Sequence, residues 1–109
     1  MEARINIYTD GSSLGNPGPG GYGIILEWKN KNYVKEYSKG FKYTTNNRME
    51  LLAVVVALEK IKIQRGNVKV FTDSKYIVDS VELKRIFKWK NNNFKNIKNP
   101  DLWIRFLKM

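Results

Sequence analysis

Three acidic residues, Asp10, Glu50 and Asp73, are the side chains in this 109-residue sequence best suited to chemistry. Asp10 is the acid of Ile7-Tyr8-Thr9-Asp10-Gly11-Ser12. Asp73 is the acid of Val70-Phe71-Thr72-Asp73-Ser74, which repeats the same order of β-branched residue, aromatic, threonine, aspartate and small residue. Both stretches read as short strands with alternating side chains and an acid at the rim. Side by side and parallel, their ends would lie about 4.8 Å apart, the spacing of neighbouring strands. Ionised carboxylates that close repel, so one takes up a proton or a cation holds the pair. Neither aspartate has a basic residue next to it in sequence. Histidine and cysteine are both absent, which removes imidazole- and thiol-based catalysis and the usual zinc ligands. A metal here must be held by oxygen, which points to Mg²⁺ or Mn²⁺.

The elements that must position these acids follow from the pattern. Residues 4–10 alternate, with Ile5, Ile7 and Thr9 on one side and Asn6, Tyr8 and Asp10 on the other. Gly15-Asn16-Pro17-Gly18-Pro19-Gly20-Gly21 breaks that strand with dense turn chemistry. Strands are expected at 22–29 and 33–41, joined by a tight turn at 30–32, which makes an antiparallel meander. Thr44-Thr45-Asn46-Asn47 can cap a helix that continues through Met49, Glu50 and the apolar run 51–58 to about Ile61. It is apolar nearly all round, so it is expected to be buried on more than one side. A strand at 67–73 follows, then a short helix from Ser74 to about Val81 and a basic, aromatic stretch at 84–98. Asn99-Pro100-Asp101 opens a last helix with Leu102, Trp103, Phe106 and Leu107 as its apolar face. The expected fold is one α/β domain spanning residues 1–109. Its mixed sheet has the order 3-2-1-4, with the fourth strand parallel to the first. The run 51–58 is too short to cross a bilayer, and a cysteine-free chain suits a reducing cytoplasm.

Connectivity brings the acids together. The third strand of the meander ends at the rim reached by the first, so the long helix starts there and delivers Glu50. The returning strand ends at that rim with Asp73. Glu50 heads a helical stripe of Val54, Ala57 and Ile61 that is wholly apolar, an odd place for a surface charge. Taken singly, each acid has an ordinary reading: Asp73 could cap the helix after it, and Glu50 could favour the positive end of its own helix. Convergence of all three favours a metal site.

The formal charge is +10, from 20 basic and 10 acidic residues, and residues 82–109 hold eight Lys/Arg against two acids. Such a balance favours a polyanionic partner. The stretch 84–98 has six basic residues and no acid, interleaved with Ile86, Phe87 and Trp89. It reads either as a solvated amphipathic helix or as a nucleic-acid contact with lysines on phosphates and aromatics against the strand.

Together, Tyr8-Thr9-Asp10-Gly11-Ser12, the glycine-rich run through Tyr22-Gly23, Thr45-Asn46-Asn47-Arg48-Met49-Glu50-Leu51 and Thr72-Asp73-Ser74 resemble the type 1 ribonuclease H family, in order and over the whole chain. The resemblance implies a ribonuclease H-like fold and endonucleolytic hydrolysis of the RNA strand of RNA/DNA hybrids with two divalent metal ions. It implies that Asp10, Glu50 and Asp73 are catalytic, metal-binding carboxylates. It also places Gly11, Ser13, Asn16, Thr45, Asn46, Asn47 and Lys75 on the hybrid, with Lys88, Trp89, Lys90 and Lys95 in a basic protrusion. Lys75 stands where many members have glutamine. Members continue with a fifth strand, a histidine-bearing loop and a final helix that supplies a fourth carboxylate. This sequence is therefore expected to be C-terminally shortened and weakly active or inactive alone. It is expected to act as a monomer, or to be completed by a missing segment, a swap or a partner chain. The alternative function is a non-catalytic hybrid-binding module, and retention of all three acids favours the enzyme.

Overall fold

Alternation along the first strand decides which way the sheet faces. The computed structural model describes residues 3–61, 66–82, 85–95 and 97–108. Its first strand, β1 (Ala3–Ser13), buries Ile5, Ile7 and Thr9, while Tyr8 and Asp10 are exposed. β1 pairs antiparallel with β2 (Gly18–Trp28), and β2 pairs antiparallel with β3 (Tyr33–Thr44). A 3-10 turn at Lys29–Lys31 joins β2 to β3 and ends on Asn32 at φ 52°, a left-handed conformation that asparagine tolerates. β4 (Gly66–Phe71) lies parallel to β1 on its other side, so the sheet order is β3-β2-β1-β4, as expected.

The strands run further than their alternation suggests. β1 continues three residues past Asp10, and the ladder pairs Asp10 with Gly23 and Ser13 with Gly20. Part of the glycine-rich run is therefore sheet rather than turn. Close approach explains it: a Cβ on Gly20 would sit 2.4 Å from the Ser12 carbonyl oxygen and 2.8 Å from Thr44 Cγ2. β4 stops at Phe71, so Asp73 lies two residues beyond the ladder, in the connection to the next helix.

Helix α1 (Asn46–Lys60) begins on Thr45, whose side chain accepts a 3.2 Å hydrogen bond from the Arg48 N–H. Its side toward the sheet carries Ala53, Ala57 and the adjoining Ile61, packed on Ile5, Ile7, Ile24 and Leu26. Its other side carries Met49, Leu51, Leu52, Val54 and Val55, packed on Ile77 of α2 (Lys75–Glu82) and on Leu102 and Trp103 of α4 (Pro100–Leu107). Burial on two sides is why the helix reads as apolar nearly all round. Helix α3 (Arg85–Asn91) carries the basic stretch. Lys84, where that stretch begins, and the Ile86 side chain lie outside the described residues.

Trp103 is fully buried and organises the helical layer. Its indole Nε1–H donates to the Tyr76 hydroxyl at 2.8 Å, and the rings of Trp89, Phe106 and Tyr76 stand 5.4, 5.5 and 5.7 Å away. Two ion pairs tie α4 to α1: Arg48 with Asp101, and Arg105 with Glu59. Both are largely solvent-exposed, so each contributes below about 1 kcal/mol. Tyr33, expected as a core or sheet-face residue, is half exposed and meets only the edge of Trp28. No helix among the described residues is long and apolar enough to cross a membrane.

Replacing Trp103 with Ala empties the centre of that aromatic cluster and is expected to cost about 3–5 kcal/mol. Trp103→Phe keeps a ring but leaves the Tyr76 hydroxyl without its donor, with an expected loss of about 1–3 kcal/mol. Urea midpoints of the two variants check both values.

Candidate active site

Three elements deliver one carboxylate each to a common rim. Asp10 stands on β1, Glu50 in the second turn of α1, and Asp73 in the connection between β4 and α2. One carboxylate oxygen from each lies within 4.8 Å of the others. Backbone contact between strand and helix makes this possible. A Cβ on Gly11 would sit 2.5 Å from the Met49 carbonyl carbon and 2.6 Å from the Glu50 nitrogen, so only glycine lets β1 and α1 touch there. The next residue on one side of that contact is Asp10; on the other it is Glu50.

The surroundings oppose three negative charges. Among the described residues no ion pair involves any of the three, since both arginine pairs lie elsewhere. The Glu50 pKa is pushed up to about 7, first by burial and then by the neighbouring Asp73 and Asp10 carboxylates. The Gly11 backbone N–H, hydrogen-bonded to Glu50, pulls the other way. Glu50 Oε2 is buried without a hydrogen-bond partner. An acid held near protonation, with an orphaned oxygen aimed among two other acids, fits a hard divalent cation. Capping accounts for neither aspartate: Ser74, not Asp73, caps α2, its hydroxyl accepting from the Ile77 N–H at 3.3 Å.

The residues expected to touch a substrate divide into groups. Ser13, Asn16 and Asn46 form a latch between the glycine-rich turn and the start of α1. Asn16 Oδ1 accepts from the Asn46 N–H at 2.9 Å, and Asn46 Oδ1 accepts from the Ser13 N–H and, at 3.1 Å, from its hydroxyl. Thr45 spends its hydroxyl on the helix cap. Asn47 is exposed and lines a cavity of about 450 Å³ with Asn16, Pro17, Thr45, Lys98 and Asn99. A second, open groove of about 530 Å³ runs from Asp10 and Gly11 across Gly21 and Gly23 to Lys39.

Lys75 is exposed at the start of α2, and Lys88, Lys90 and Lys95 are exposed on α3 and the turn after it. Trp89 is different. It is half-buried and packs on Trp103, so most of its ring supports the fold. Phe87 is the aromatic of that helix left largely in solvent. Sequence reasoning missed Lys98 and Asn99 as cavity residues. Asn99 was legible as the residue before a helix-starting proline, but nothing in the pattern showed that its turn would face Asn16. Arg48 was also missed; it donates to Asn99 Oδ1 at 3.1 Å while pairing with Asp101, and so holds that turn against α1.

Fold and site together define an α/β protein with a carboxylate cluster suited to divalent cations. The RNase H family model matches residues 2–109. The Ribonuclease H of Desulforamulus reducens is 49% identical over 111 residues, covering 97% of this chain and 68% of that protein. LC9-RNase H1, a type 1 RNase H with the type 2 active-site motif, superposes with a TM-score of 0.81 at 32% identity over 96% of this chain and 56% of its own. LC11-RNase H1, solved in complex with an RNA/DNA hybrid, gives 0.69 at 33% identity over 95% of this chain and 72% of its own. The chain belongs to the RNase H family, whose members hydrolyse the RNA of RNA/DNA hybrids and depend on metal ions.

Two outcomes check the site without substrate. Because the folded-state pKa of Glu50 is raised above its unfolded value, its contribution to stability is fully present below about pH 4.5 and is lost as pH rises toward about 7. Metal-free protein is therefore expected to melt higher at pH 5 than at pH 8, with the difference reduced in Glu50→Gln and by saturating Mn²⁺. Gly11→Ala must force β1 from α1, with an expected loss of about 1–3 kcal/mol and weaker Mn²⁺ binding by calorimetry.

Proposed function

We propose that this chain cleaves the RNA strand of RNA/DNA hybrids endonucleolytically, with Asp10, Glu50 and Asp73 as its metal-holding carboxylates. The observation that carries this reading is the convergence of the three acids around an unpartnered Glu50 oxygen. Mg²⁺ is the expected ion and Mn²⁺ the substitute, since all the ligands are oxygens. Such ions, when bound, supply Lewis-acid chemistry: charge neutralisation at the scissile phosphate and a water acidic enough to attack near neutral pH.

The chain's own residues do the rest. Asp10 sits between β2 and the α1 contact on a strand paired on one side through Ser13, which holds its carboxylate in place. Glu50 is anchored by the Gly11 N–H, and Asp73 closes the cluster from the third side. In the overall reaction, water adds to phosphorus, the P–O3′ bond breaks, and the departing 3′ oxygen takes a proton. The groove beside Asp10 and the cavity at Asn16, Thr45 and Asn47 flank the rim. Gly11, Ser13, Asn16, Thr45, Asn46 and Asn47 are the residues proposed to meet the hybrid there, where 2′-hydroxyls and base edges of a shallow minor groove lie within reach of short polar groups. Lys75, Lys88, Lys90 and Lys95 are proposed phosphate contacts, with the Trp89 edge beside them. Residues 1–109 are proposed to act as one domain, in the reducing cytoplasm that a cysteine-free chain suits.

End-labelled RNA/DNA hybrid incubated with Mg²⁺ or Mn²⁺ tests this. Internal cuts in the RNA strand alone are expected, abolished by EDTA. Asp10→Asn should lower the rate beyond the 10–100-fold typical of losing an outer partner of a metal ligand, so at least about 100-fold. A gel shift of the hybrid without cleavage by the unaltered chain in either metal would overturn the enzyme reading in favour of a binding module.

A further inference from the structure

The sheet has a second face, and its charge differs from that of the rest of the molecule. Register places Asn6 and Tyr8 of β1, Ile25 and Glu27 of β2, Val34 and Glu36 of β3, and Lys69 and Phe71 of β4 on the side turned away from α1. Tyr8, Ile25, Val34 and Phe71 are 39%, 38%, 55% and 47% exposed there, and the Tyr8 and Phe71 rings stack at 5.0 Å. The chain as a whole carries +10. On this face, however, Arg4, Lys69 and the nearby Lys29 at one corner are matched by Glu27, Glu36 and Asp10. Glu27 accepts from Asn6 at 3.2 Å, which keeps the acid in the plane of the face. An apolar centre with balanced charge does not suit a polyanion, for which this protein offers basic surface elsewhere.

We propose that this face docks on the same face of a second copy of the chain. The distribution of charge selects that occupant: bases sit on the β1–β4 side and acids on the β2–β3 side, so the face is complementary to itself. A two-fold axis parallel to the strands, passing between β1 and β2, lays β1 of each copy over β2 of the other. Tyr8 then meets Ile25, Phe71 lies beside Val34, and Lys69 of each copy reaches Glu36 of the other. Strand directions stay aligned, as in packed sheets about 10 Å apart. Both Asp10 rims remain at the same end of the assembly, each with its own three acids. Four strands about 4.8 Å apart and six residues long offer on the order of 400 Å² per copy, half that of a standard interface. The dimer is accordingly weak and concentration-dependent. This departs from the monomer expected from family resemblance and does not rest on the nuclease reading.

Sedimentation velocity of the full chain from micromolar to millimolar concentration, at about 0.15 M salt to screen the net charge, reads the association directly. A reversible monomer–dimer equilibrium is expected. Lys69→Glu and Glu36→Lys should each weaken it at least about 5-fold, and the double exchange should restore it to within about 2- to 3-fold of the original, as coupling between contacting residues requires. Circular dichroism melts of the three variants establish that each is folded. Monomer at every concentration overturns the proposal. So does a dimer indifferent to both single substitutions, which would place the contact on another surface.

Discussion

The backbone contact at Gly11 is the constraint from which the rest of the site follows. Strands and helices ordinarily meet through side chains, which hold their backbones well apart. Here β1 meets α1 with no side chain between them, because a Cβ would fall 2.5 Å from a Met49 backbone atom. Further along the same side of the helix, Ala53 and Ala57 keep the separation small over the isoleucines of the sheet. A small-residue seam on the helix and a glycine in the strand thus act together. Their joint result is that a strand acid and a helix acid, otherwise separated by a layer of packing, share one rim.

Electrostatics at that rim runs against the composition of the chain. Twenty basic residues are available, yet the arginine ion pairs are made with Asp101 and Glu59, on the far faces of the helical layer. Glu50 is left buried, near neutral protonation and short of one hydrogen bond. A folded chain tolerates such a group when something bound relieves it, and the same tension that destabilises the empty site favours a cation in it. The helical layer behind, centred on Trp103, supplies the rigidity that keeps this arrangement from relaxing.

Much of the fold could be read from the residues. The meander, the two-sided helix and the parallel fourth strand all appear where alternation, capping residues and apolar periodicity indicated. The ends of the strands did not, because glycines that pair in a ladder look like glycines that turn. Gly18, Gly20 and Gly21 are sheet residues whose reason lies in Ser12, Thr44 and Lys39, two of them remote in sequence. Trp89 was misplaced for a related reason. A basic, aromatic helix has the same composition whether its indole faces a ligand or packs on a buried tryptophan.

By itself, the sequence determined the chemical type of the site: three carboxylates, no histidine or cysteine, and an order of elements that routes each acid to one edge. Those properties depend on residue type and on local periodicity, which a linear string carries in full. Tertiary structure alone decided which oxygen of Glu50 would be stranded, which side chains would be spent on the latch between Ser13, Asn16 and Asn46, and which sheet face would stay open. Each of these depends on what lies opposite a residue in space, and opposition is created only when distant segments pack.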